Sequence, residues 1–280
     1  MMKPILTKKP LLLLALQLAA FWPVWRWYAA RASDSTDEMW SLLALATVLA
    51  LSLRGQASIQ ETNQTAAQEL DKALLAPTLV LLLYCATYSL LPPLARACLA
   101  ATSLGLTLSF MRFGRRFQPG LLGLIYLSLP LVPTLQFYGG YPLRMLVAGV
   151  AAPLLRLNGF AVVQEGTCLN WGGQLIWIDA PCSGVRMLWT GLYLACALAC
   201  IYGLRSFKTL LVLALALPAI ILGNIFRAVA LFYIEAGIIK MPGWAHEYTG
   251  VVAFLIVAGV ISATVQLIRR ERLCGELSST

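Results

Sequence analysis

Charged residues are absent from long stretches of this chain. None stands between Lys72 and Arg96, Arg116 and Arg144, Arg186 and Arg205, Lys208 and Arg227, or Glu247 and Arg269. Leu, Ile, Val, Ala and Phe dominate these intervals, and a helix of about 20 such residues is what the hydrocarbon layer of a bilayer requires. Charged residues make up only 12% of the 280, whereas a soluble domain carries about a quarter. The expected class is an all-α polytopic membrane protein, one membrane domain over 1–280 with little length left for a soluble catalytic domain. The net charge of +9 does not point to nucleic acid, because the basic residues are scattered between apolar spans. Membrane topology accounts for them, since Lys and Arg gather on the cytoplasmic side. Membrane lipid is therefore an expected partner and nucleic acid is not.

About eight transmembrane helices are expected, near residues 10–30, 39–54, 73–91, 94–111, 120–138, 184–204, 207–228 and 247–268. Residues 141–157 are apolar but contain Pro142, Arg144, Pro153 and Arg156, so they are read as a helix lying at the interface. Lys3, Lys8 and Lys9 precede an apolar stretch that runs through Ala30 without a small-x-small cleavage site, and a retained first helix is expected. With the N-terminus inside, three basic clusters fall on the cytoplasmic side: Arg112, Arg115 and Arg116; Arg205 and Lys208; Arg269, Arg270 and Arg272. The expectation is a multi-pass plasma-membrane protein, in a bacterium the inner membrane, with both termini in the cytoplasm.

Residues 158–179 have a different pattern. Phe160-Ala161-Val162-Val163, then Thr167 to Trp171, then Leu175-Ile176-Trp177-Ile178 are short β-favouring runs. Glu165-Gly166 and Gly172-Gly173 separate them, as in a small antiparallel β-meander. The topology places the meander on the outer face. Residues 141–183 thus form an interfacial helix and a meander, and residues 184–268 form the helices that follow.

The meander leads into Asp179-Ala180-Pro181-Cys182-Ser183-Gly184-Val185-Arg186, a polar, turn-prone patch carrying a thiol. Cys85, Cys98, Cys196 and Cys200 lie in apolar stretches, where a thiol behaves as a small hydrophobe. Cys274 is in the polar tail, which leaves Cys168 and Cys182 in polar, non-helical segments. On the eight-span topology Cys182 precedes the sixth span at the outer face. Arg227, reached after about 20 residues at roughly 1.5 Å each, ends the seventh span there. His246, the chain's one histidine, precedes the eighth. Pro218, Gly223 and Asn224 suggest a helix loosened near Arg227.

Three groups at one membrane face make a coherent chemistry. A thiol becomes a competent nucleophile when a cation lowers its pKa or a histidine takes its proton. His246 could be that base and later the acid toward a leaving amine. Arg227 stays protonated at any working pH, so its task would be to hold a carbonyl or stabilise an oxyanion. Ser183 and Gly184 open a helix, where free backbone N–H groups favour a thiolate or oxyanion. Other readings stand beside these. Cys182 could pair with Cys168 in a disulfide, since the outer face is oxidising. Arg227 could snorkel to the interface, and His246 could bind headgroups. No cofactor is implied, and one histidine with scattered acids does not supply a metal's ligands.

Ala180-Pro181-Cys182-Ser183-Gly184-Val185, Gly223-Asn224-Ile225-Phe226-Arg227 and His246-Glu247-Tyr248-Thr249-Gly250 resemble, in order and spacing, the three signature blocks of the exosortase/archaeosortase family. The resemblance covers roughly residues 140–268; the N-terminal spans match in general character. It implies a sortase-analogous membrane cysteine transpeptidase or protease with Cys182 as nucleophile, Arg227 as carbonyl or oxyanion partner and His246 as acid/base. Asn224 would orient the Arg227 guanidinium or a substrate carbonyl. It also implies the partner: an exported protein with a C-terminal tripartite sorting signal of the PEP-CTERM type, made of a short motif, a transmembrane helix and a basic cluster. Such processing commonly accompanies exopolysaccharide production. Two other classes compete: a transporter or lipid flippase with Arg227 and His246 lining a path, and a non-catalytic scaffold for envelope assembly. A transporter predicts repeat-related halves with paired broken helices, which the sequence does not display.

Overall fold

A computed structural model of the chain describes residues 8–34, 39–53, 64–179 and 182–277. The described residues are mostly helical, with one small sheet. In order they form α1 (Lys8–Ala20), α2 (Trp22–Asp34), α3 (Met39–Leu53), α4 (Gln64–Thr87), α5 (Pro93–Phe113), α6 (Pro119–Leu127) and α7 (Val132–Leu157). Then come β1 (Val162–Glu165), β2 (Cys168–Trp171), β3 (Gln174–Trp177), α8 (Val185–Ile201), α9 (Ser206–Glu235) and α10 (Ala245–Leu277). The chain separates into two compact units, residues 1–130 with 199–209, and residues 131–198 with 210–280.

Among the described residues four helices are long and apolar enough to cross a membrane, with spans at Leu70–Thr87, Pro93–Phe113, Ser206–Glu235 and Ala245–Arg270. The count among the described residues rises to six if two bent helix pairs each make one span. The protein is a membrane protein, and the described residues supply four to six candidate spans where about eight were expected. The first expected span is broken by a bend of 58° between α1 and α2, and α3 and α8 are shorter apolar helices. The fifth, 120–138, ends early: α6 stops at Leu127, and a new helix runs unbroken from Val132 to Leu157 through the expected boundary at 139–141. Proline position explains the difference. Pro130 lies in the break, and Pro133 lies in the first turn of α7, where its missing N–H costs nothing. Gly139 and Gly140 cost a helix interior only about 1 kcal/mol each.

In the first unit, apolar packing surrounds a buried polar knot. Gln17 of α1 is fully buried and donates Nε2 to Ser103 Oγ and Thr107 Oγ1, each at 2.9 Å, on α5. Ser103 Oγ in turn donates to the carbonyl of Pro77 on α4 at 2.8 Å. Interhelical polar contacts of this kind register helices whose apolar surfaces would slide in lipid. Arg115 donates to the Leu204 carbonyl at 2.7 Å, and Gln118 to the same oxygen at 3.0 Å. Two of the basic turns assigned to one membrane face are thus bound to each other.

The meander of the second unit is present at the expected residues. Strand order is β1-β2-β3, antiparallel throughout, with Glu165 opposite Cys168 and Trp171 opposite Gln174. Gly172 and Gly173, at φ 60° and 85°, make the two-residue turn with two left-handed residues that a tight hairpin favours. Val162, Leu169 and Ile176 are buried in a core shared with Val147, Ala151 and Leu155 of α7 and Ile225, Leu231 and Phe232 of α9. Phe160, Trp171, Phe232 and Tyr233 interlock edge to face beside it. Cys182 belongs to the same core, packed with residues of the sheet, α7 and α9.

Candidate active site

The turn that carries Cys182 is built from backbone geometry. Ala180 and Pro181 lie outside the described residues. The Cys182 N–H donates to the Asp179 carbonyl at 2.9 Å, and the chain then passes through Gly184 at φ 87° into α8. A Cβ on Gly184 would stand 2.7 Å from Asn224 Nδ2. Glycine is needed here for two reasons, the left-handed backbone and the close approach of α9. Asn224, buried on α9, donates Nδ2 to the Cys182 carbonyl at 3.1 Å. Ser183 is buried as well: its hydroxyl donates to Gln136 Oε1 of α7 at 3.0 Å and accepts the Val185 N–H at 3.4 Å. Asn224 and Ser183 therefore both hold the turn that carries Cys182.

Helix α9 is continuous through Pro218, Gly223 and Asn224 and ends at Glu235, so the expected loosening near Arg227 is not formed. Gly223 serves packing instead, since a Cβ there would collide with Val257 of α10. Arg227 lies two turns inside the end of α9. Its guanidinium rests on Gly250: a Cβ at that position would meet Arg227 Cζ and Nε at 3.2 Å and Nη2 at 3.3 Å. The glycine one turn after His246 is thus the seat of the arginine.

His246 occupies the first turn of α10. Its Nε2 is 3.8 Å from Cys182 Sγ, within reach of a sulfur hydrogen bond. Its Nδ1 is 3.2 Å from Glu235 Oε1, a residue the sequence reasoning did not select. A signal for it existed: Glu235 is the single acidic residue between Arg227 and His246. Cys182, His246 and Arg227 come together in one unit, with Asn224 and Gly184 behind them. Cys168 and Cys182 are both free thiols.

Burial pushes the Cys182 thiol above its ordinary value near 9; the Arg227 charge draws it down, while Glu235 and Asp179 push it further up. A cleft of about 440 Å³ opens between α9 and α10, lined by Phe226, Ala230, Trp244, Tyr248 and Val252 among others, and Arg227 supplies its one charge. Among the described residues no group of three or more His, Cys, Asp or Glu converges as metal ligands would.

Apolar helices of membrane-crossing length, with a cysteine before α8, a histidine in the first turn of α10 and an arginine within α9 in one unit, define a multi-pass membrane protein. The chain belongs to the transmembrane exosortase family, whose match runs over residues 10–263. That match takes in the N-terminal helices, well beyond the 140–268 that carried the resemblance. No curated protein matches the chain, and no solved structure does either.

Proposed function

We propose that the protein is a membrane-embedded cysteine transpeptidase or endopeptidase that cleaves the C-terminal sorting signal of exported proteins. The observation that carries the reading is the 3.8 Å approach of Cys182 Sγ to His246 Nε2, with Arg227 close enough to act on the same sulfur. The Cys182 proton passes to Nε2 as sulfur attacks the scissile carbonyl carbon, and the carbonyl π electrons move to oxygen. Arg227 stabilises that oxyanion. The oxyanion collapses, the C–N bond breaks, and His246 returns the proton to the leaving amine, leaving a thioester on Cys182. An acceptor amine or water then attacks the thioester with His246 as base, and the thiol is regenerated.

The substrate is an exported protein whose C-terminus carries a short motif, a transmembrane helix and a basic cluster. Parking it in the bilayer confines enzyme and substrate to two dimensions. The site faces the outer side of the plasma membrane, as the distribution of basic clusters supports. The test is co-expression of a tagged secreted protein bearing such a signal with wild type, Cys182→Ala, Arg227→Ala or His246→Ala. Wild type shortens the substrate, and each variant, inserted normally, does so at least about 100-fold more slowly. Continued shortening by all three variants would show the assignment to be wrong.

A further inference from the structure

The mechanism above leaves one contact of the cluster unused. We propose that Glu235 is a positioning residue whose carboxylate accepts the Nδ1–H of His246, holding the imidazole in the tautomer that presents a bare Nε2 to Cys182. The two ring nitrogens face different partners, Glu235 Oε1 at 3.2 Å and Cys182 Sγ at 3.8 Å. A carboxylate only accepts, so it fixes the proton on Nδ1. The nitrogen toward sulfur is then the one that can take a proton. Once the thiol proton arrives there, the carboxylate stabilises the imidazolium.

The fold is arranged to deliver this contact. Gly237, left-handed at φ 71°, ends α9 and turns the chain back, so the first turn of α10 returns to the last turn of α9. The Glu235 carbonyl is anchored by Gln174 Nε2 of β3 at 3.3 Å, which ties this helix end to the sheet whose buried residues share a core with Cys182. A carboxylate at a helix C-terminus opposes the helix dipole, so its place there is costly without a donor or cation opposite. Asp179 and Arg227 are the other charged groups bearing on the cluster, and neither is bonded to Nδ1 in place of Glu235. The Glu235 and His246 side chains are 35% and 39% exposed, so the pair adds little to stability and its effect is one of orientation.

For turnover this role rests on the catalytic reading of Cys182 and His246; the tautomer does not. Because His246 is the one histidine in the chain, ring 15N labelling reports it without ambiguity, provided the purification tag has no histidine. In detergent micelles, at a pH where the ring is neutral, wild type should show the proton on Nδ1. Glu235→Gln, which keeps an acceptor, should retain that tautomer, and Glu235→Ala should shift the ring toward the Nε2–H form. In the processing assay Glu235→Ala should lose about 10- to 100-fold in kcat with thermal stability little changed, and Glu235→Asp should recover part of it. An Nε2–H ring in wild type, or a spectrum that Glu235→Ala leaves unaltered, would overturn the positioning role. If the tautomer responds but Cys182→Ala still processes substrate, the orienting contact stands and the catalytic reading falls. If Cys182→Ala is inactive and the tautomer ignores Glu235, the reverse holds.

Discussion

Gly250→Ala separates the needs of the helix from those of the site. Gly250 lies in α10, and helical alanine is favoured over glycine by about 1 kcal/mol. The added methyl would meet three guanidinium atoms of Arg227 at 3.2–3.3 Å, where carbon contacts settle at about 3.5–4.0 Å. The guanidinium must therefore move by about 0.5 Å, and displacements approaching 1 Å at a reacting centre can cost about 100-fold. The expected result is a roughly 10-fold fall in kcat, equivalent to about 1.4 kcal/mol of lost transition-state stabilisation, with melting temperature unchanged or raised. Gly259 provides the control: it lies on the same helix, and a Cβ there meets nothing within 4 Å. Gly259→Ala should carry the same stabilising effect and process substrate at the wild-type rate. Both variants are read by scanning fluorimetry in micelles and by cleavage of a tagged substrate. Full activity in Gly250→Ala would refute the idea that this glycine seats the arginine.

Gly184→Ala should be damaging for both fold and activity, because a left-handed backbone costs an alanine about 1–2 kcal/mol and the methyl also meets Asn224 Nδ2 at 2.7 Å; a melting scan checks it. Asn224→Ala removes the bond to the Cys182 carbonyl and should destabilise by about 1–3 kcal/mol, measured by thermal unfolding alongside slower processing. The rate at which iodoacetamide alkylates Cys182, followed by peptide mass spectrometry, should still be rising above pH 9, since burial makes the thiolate harder to form. Arg227→Ala should move that profile to higher pH by removing a cation, whereas Glu235→Gln should move it lower by removing an anion while still slowing processing.

The chain's class was legible because charge-free apolar runs admit few alternatives. The meander was legible because Gly166 and Gly172-Gly173 punctuate short β-favouring runs. Span boundaries were less so: a hydropathy window does not see that Pro133 starts a helix while Pro142 and Pro218 are carried within one. Gly223 illustrates the same limit. In sequence it reads as a weak point in a helix, but its reason is Val257, more than thirty residues away on another helix. The blocks that hold Cys182, Arg227 and His246 were legible as motifs, but the place of Arg227 was not: the sequence ends its span there, whereas α9 continues two turns further to Glu235. Glu235 was not legible either, because its meaning depends on the reversal at Gly237 that brings α10 back against α9.

The three sequence blocks prove to be joints rather than three separate reactive residues. Gly184 makes room for Asn224, Asn224 holds the carbonyl of Cys182, and Gly250 makes room for Arg227. Cys182 and Arg227 are thus each positioned by a small or amide residue on a neighbouring helix, whereas His246 meets a carboxylate, Glu235. The electrostatics indicate when the cluster is activated. Burial, Glu235 and Asp179 all favour a protonated Cys182, and Arg227 alone pulls the other way. On the proposed mechanism, transfer of the proton to His246 becomes favourable when the negative charge can move from sulfur to a substrate carbonyl oxygen beside Arg227. A thiol that keeps its proton until then is also slow to oxidise, since oxidation acts on the thiolate. Arg227 therefore has its largest effect after the carbonyl arrives, and its removal should lower kcat by a larger factor than it lowers the alkylation rate of the free enzyme.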